Sequence, residues 1–100
     1  MPKGYWIAQV DVSNDEGYKP YAMANPAIFK KFGGRFVIRA GRHEAPEGKA
    51  RARTIVIEFP DYAAARACYH SPEYQENIKR RLPHATADIL IIEGYDGPQP

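Results

Sequence analysis

Three histidines, seven tyrosines and one cysteine carry the readiest chemistry in this 100-residue chain. His43, His70 and His84 match no zinc-ligand spacing and Cys68 stands alone, so neither a metal site nor an internal disulfide is expected. His43, between Arg42 and Glu44, has an imidazole that can serve as a general base near neutral pH. His70 falls at the end of a helical stretch, where a cationic ring complements the negative pole of the helix. Tyr69 and Tyr74 are the tyrosine candidates for a catalytic role. With Tyr18, Tyr21 and Trp6 they read either as core aromatics or as the wall of an aromatic small-molecule pocket.

Asn25 is a polar residue inside an otherwise apolar helical stripe, immediately before Pro26. Proline cannot donate to the carbonyl of Ala22, so Asn25 either satisfies a backbone group freed by that break or offers its amide to a ligand between helix and sheet. Arg39 and Glu58, placed across a hairpin by symmetry about its turn, form an expected opposite-charge pair. Such a pair would set docking geometry at an interface, and the alternative is an Arg39 that grips a carboxylate or phosphate in its guanidinium fork. No catalytic triad, phosphate loop or dinucleotide fingerprint is present, and no cofactor is expected.

The elements that must hold these side chains follow from apolar periods. Tyr5 to Val12 alternates, with Trp6, Ala8, Val10 and Val12 on one face. Tyr18 to Phe32 repeats at helical spacing after the capping run Ser13-Asn14-Asp15-Glu16. Arg35 to Gly41 and Arg53 to Phe59 alternate again around a turn-rich Ala45–Ala50 tip, putting Phe36, Ile38 and Ala40 on one face. Asp61 to Leu82 is helical but interrupted, because Ser71-Pro72-Glu73 reads as a cap followed by a fresh helix start. Ala87 to Glu93 closes the pattern with a strand that is apolar on both faces. This order predicts a βαββαβ ferredoxin-like sandwich of the α+β class, with a four-stranded antiparallel sheet and helices on one face. Residues 1–96 are expected to form one domain and 97–100 a tail.

Fourteen basic against twelve acidic residues give a formal net charge of +2, ordinary for a globular domain and no nucleic-acid footprint. No apolar run approaches the roughly 20 residues of a membrane span, no signal sequence is evident and cysteine is scarce, so a cytoplasmic protein is expected. One sheet face remains uncovered by helices. Ile7, Val37, Val56, Ile89 and Ile91 are expected there beside Gln9, Arg39, Thr54 and Glu58, and a homodimer through that face would cover them.

Lys3-Gly4-Tyr5-Trp6, Gly33-Gly34-Arg35-Phe36, Ile57-Glu58-Phe59-Pro60, Tyr69-His70-Ser71-Pro72-Glu73-Tyr74-Gln75 and Glu93-Gly94-Tyr95 together resemble the domain-of-unknown-function family 1330. That family resembles the dimeric α/β-barrel superfamily, in which two ferredoxin-like subunits join their sheets. The resemblance implies a dimeric barrel but no particular reaction, since the superfamily includes cofactor-independent monooxygenases, isomerases, haem-degrading enzymes and ligand-sensing domains. By that analogy alone, His70 acquires an alternative reading as an axial haem ligand. The function expected is small-molecule binding in the helix–sheet cleft, with cofactor-independent chemistry there. Asn25, Arg39, Glu58 and Trp6 are its ligand candidates, and a non-catalytic sensing or structural dimer is the alternative.

Overall fold

The computed structural model describes residues 1–100. Its elements run β1 (Gly4–Val12), α1 (Asp15–Lys31), β2 (Arg35–Arg39), β3 (Arg53–Phe59), α2 (Tyr62–Tyr69), α3 (Pro72–Arg81) and β4 (Ala85–Glu93). The strands form one antiparallel sheet in the order β2-β3-β1-β4, the βαββαβ arrangement with its second helix in two pieces. No helix is long and apolar enough to cross a membrane.

Each helix starts where a short polar side chain can accept from an orphan backbone N–H. Asn14 Oδ1 accepts from Gly17 N at 3.1 Å, so α1 begins at Asp15, earlier than the apolar stripe alone suggests. Gly17 is required there for space, because a Cβ would lie 2.4 Å from the ring of His84. Asp61 caps α2 through Ala64 N at 2.7 Å, and Ser71 caps α3 through Tyr74 N at 3.2 Å. The break at Ser71-Pro72 is therefore real, and proline occupies the first turn of α3, where no N–H is needed.

Trp6 is the centre of the core. It lies between Ile57 and Ile91 in the sheet, only 1% exposed, and its indole N–H donates to the carbonyl of Ala65 at 2.8 Å. Phe29, Phe59, Tyr69 and Tyr74 surround its ring, with Phe29 and Tyr74 edge-on at centroid distances of 5.1 and 4.8 Å. A buried indole needs a partner for its N–H, and edge-to-face contacts add to area burial, so this cluster fixes how α2 and α3 sit on β1.

Two expectations about strand faces fail. Phe36 opposes Ile57 but Ile38 opposes Val56, so β2 carries one extra residue at Val37 and its parity reverses. Arg39 consequently pairs with Ile55 on the helix side, its guanidinium 4.1 Å from the Phe36 ring centroid, and Ile38 moves to the bare face. Arg39 therefore does not meet Glu58. Arg35 takes that place, with Nε 3.1 Å from Glu58 Oε1. The chain leaves the strand through Ala40, the one non-glycine residue with positive φ, at 54°. On β4, Ile89 and Ile91 oppose Ala8 and Trp6, so they pack under the helices, and Leu90 and Ile92 occupy the bare face.

Candidate functional site

A cavity of about 190 Å³ lies between α1 and the sheet. Trp6, Tyr18, Tyr21, Phe29 and Phe36 supply aromatic walls, Ile55, Ile57 and Ile89 the strand side, and Asn25 and Arg39 the polar points. The bulge in β2 creates part of this geometry, since it is what turns Arg39 toward the helices. Exposed Arg39 and Ala40 and half-buried Arg53 form the rim.

The orientation of Asn25 follows from its neighbours. Asn77 must donate to the carbonyl of Tyr21, and its Nδ2 does so at 3.2 Å while its Oδ1 accepts from Arg80 at 3.2 Å. The same Nδ2 meets Asn25 at 2.9 Å, which requires Asn25 to present Oδ1 there. The Nδ2 donors of Asn25 are then left without a protein acceptor, on a residue that lines the cavity. Asn25 does not repair the proline break directly. It links α1 to α3 and keeps two donors free.

Behind the cavity, the hydroxyls of Tyr21 and Tyr74 are 2.6 Å apart, and Arg81 Nη1 lies 3.4 and 3.2 Å from them. Burial, followed by the neighbouring Tyr21, pushes the Tyr74 phenol far above its ordinary range, so it stays neutral. Burial likewise raises Tyr18. The Cys68 thiol, fully buried, is pushed up to about 12 by desolvation and is no nucleophile in the native state.

The structure thus gathers Trp6, Asn25 and Arg39 around one cavity, with Tyr74 behind them through Tyr21. The other candidates lie elsewhere. Tyr69 lines a separate hollow against β4. His43 sits in the exposed β2–β3 connection, with Nδ1 3.3 Å from the Gly41 carbonyl. Glu58 is on the opposite sheet face, held below the usual carboxylate range by the Arg35 hydrogen bond and also bonded by Tyr5 Oη at 3.1 Å. His70 caps the end of α2, exposed, its ring against Tyr69. Sequence reasoning missed Asn77 and Arg81. Their signal was present, since Tyr74, Asn77, Ile78 and Arg81 fall at i, i+3, i+4 and i+7, one helical stripe.

No carboxylate or imidazole lines the first cavity. Its walls can enclose an aromatic body, exclude water and orient it by hydrogen bonds from Asn25 and the tyrosine hydroxyls. The family model described as a domain of unknown function (DUF1330) matches residues 3–95. No curated protein matches the chain. Among solved structures, a protein of unknown function from Rhodopseudomonas palustris is similar at 16% identity, covering 96% of this chain and 85% of its own, with a TM-score of 0.74. SnoaB, a cofactor-independent oxygenase from Streptomyces nogalater, is similar at 13% identity and 97% coverage of both chains, with a TM-score of 0.64. A dimeric protein of unknown function with a ferredoxin-like fold from Bacteroides fragilis shares 13% identity, covering 93% of this chain and 97% of its own, with a TM-score of 0.60. At these identities the likeness establishes the fold.

Proposed function

The chain belongs to the family described as a domain of unknown function, DUF1330, and on that premise we propose that it is a homodimer that binds a small aromatic molecule between α1 and the sheet. The observation that carries this reading is the cavity, because a well-packed core of this size has little reason to keep about 190 Å³ open beside unpaired amide donors. An apolar cavity of about 150 Å³ suffices for benzene, so a one-ring or compact two-ring compound fits. Chemistry on such a ligand would be of the kind in which the substrate supplies the reactive electrons and the protein orients it, as the likeness to a cofactor-independent oxygenase suggests. The dimer reading rests on the bare sheet face, where Ile38, Leu90 and Ile92 are 47, 50 and 46% exposed with no element over them, and on the likeness to a dimeric relative.

Trp6 is the sole tryptophan and part of the cavity wall, so its emission reports occupancy directly. A panel of substituted phenols and naphthols, excited where only the indole absorbs appreciably or followed by the indole N–H resonance, should include saturable binders. Ala22→Leu, which fills space on the α1 wall, should abolish the response without unfolding the protein. No saturable change at Trp6 with any compound, or an undiminished change in the filled variant, would overturn the reading.

A further inference from the structure

Arg81 is the one buried cation that the fold leaves without a counter-ion. It is 8% exposed at the end of α3, no carboxylate lies within ion-pair distance of it, and its Nε has no hydrogen-bond partner. Both of its side-chain hydrogen bonds are made by Nη1, to Tyr21 and Tyr74, and the Tyr21 ring lies 5.4 Å from its guanidinium carbon. Tyr74, kept neutral by its burial, supplies no charge. The edge of the guanidinium formed by Nε and Nη2, the one that meets a carboxylate through two parallel N–H bonds, is therefore unused. An uncompensated charge inside a protein is costly, and chains retain one where something else completes it.

A second cavity adjoins this edge. It measures about 380 Å³ and lies against the sheet-edge strand β4, lined by Tyr69, Arg81, Ala87, Asp88, Ile89 and Leu90. Its only lining residue shared with the first cavity is Ile89. The Tyr69 hydroxyl has no hydrogen-bond partner in the protein, which leaves a second donor on the same wall. Asp88, the one acidic residue there, is largely exposed and already held by Arg51 Nε at 2.8 Å.

We infer that Arg81 and Tyr69 form a binding site for the carboxylate of a small organic acid, distinct from the aromatic cavity beneath α1. The carboxylate takes the free guanidinium edge, and the Tyr69 hydroxyl donates to one of its oxygens. The apolar part of the acid rests on Ala87, Ile89 and Leu90. Asp88 at the mouth disfavours dianions and so selects a singly charged acid.

The buried Nε–H of Arg81 is its own reporter. In a ¹⁵N-resolved titration with sodium benzoate, its resonance should shift saturably, while benzamide, of the same shape without the charge, should leave it unmoved. Tyr69→Phe, which retains the ring against Trp6, should bind benzoate about tenfold more weakly, the usual loss for one hydrogen bond to a charged group. Arg81→Lys should remove saturable binding, and Tyr69→Phe keeps the test valid if the Arg81 variant fails to fold. A shift produced equally by sodium chloride, by inorganic phosphate in place of benzoate, or by benzamide would overturn the inference. So would a benzoate shift unaffected by Tyr69→Phe, or the absence of any shift.

Discussion

Ser71→Ala should destabilise the protein by about twice what the loss of an ordinary helix cap costs. The hydroxyl of Ser71 bridges two helix ends, donating to the Cys68 carbonyl at 2.7 Å while accepting from the Tyr74 N–H at 3.2 Å. A cap substitution to alanine usually costs about 1 kcal/mol, partly because water replaces the lost acceptor. Here Ser71 is 5% exposed and Tyr74 fully buried, so the orphaned Tyr74 N–H gains no water, while Cys68 O keeps only the Ser71 N–H at 3.2 Å. Adding about 1 kcal/mol for the lost hydroxyl bond brings the expected loss to about 2 kcal/mol. With a urea slope of about 2 kcal/mol per molar, the denaturation midpoint should fall by about 1 M at fixed protein concentration. Ser71→Gly discriminates between the two accounts. At a solvated cap glycine costs only a few tenths of a kcal/mol relative to serine, whereas at this buried junction it should cost as much as alanine. Ser71→Thr should retain most of the stability. A glycine variant within a few tenths of the parent protein would refute the reasoning.

Glu58 has its pKa depressed chiefly by the Arg35 hydrogen bond, so the stability it contributes is present above its unfolded pKa and is lost as pH falls through the folded value. Arg35→Met should raise the Glu58 midpoint in an NMR titration, and Arg39→Met should leave it where it is. Because the Cys68 thiol is raised to about 12 in the fold, the unfolded chain ionises first as pH rises above about 9. Stability should therefore fall progressively from that point toward pH 12, and Cys68→Ala should flatten that slope. At neutral pH Cys68 should react with a thiol reagent only at the rate of unfolding. Leu90→Asp on the bare sheet face should shift sedimentation from dimer toward monomer with helical content retained, and an unchanged assembly would exclude that face as the contact.

The order of elements was legible because each uses one period without competition: alternation at Trp6, Ala8 and Val10, and steps of three and four from Tyr18 to Phe29. The junction at Ser71-Pro72 was legible because its cap and proline have local causes. What escaped were parities. Alternation assumes an unbroken ladder, and the extra residue at Val37 reverses every side chain after it, which moved Arg39 from the bare face to the cavity rim. In β4 both faces are apolar, so Ile89 and Ile91 could not be told from Leu90 and Ile92 until their partners on β1 were known. Arg81 was hidden by company: Lys79-Arg80-Arg81 reads as a solvated cluster favourable at a helix C-terminus, and only the stripe from Tyr74 distinguishes the third member.

The pairing of β1 with β4, from Gly4 opposite Glu93 to Val12 opposite Ala85, has a consequence for how the chain finds its fold. This ladder joins residues about as far apart in sequence as the chain permits, and it ends with Gly94 N 2.7 Å from Lys3 O. A short linker between those two points, with new ends opened in the exposed stretch 41–50, would give the order β3, α2, α3, β4, β1, α1, β2. The same contacts would remain, but the most distant strand pair would become a hairpin. Mean sequence separation of contacts governs the folding rate of small domains, so the rearranged chain should fold faster than the natural one at comparable stability.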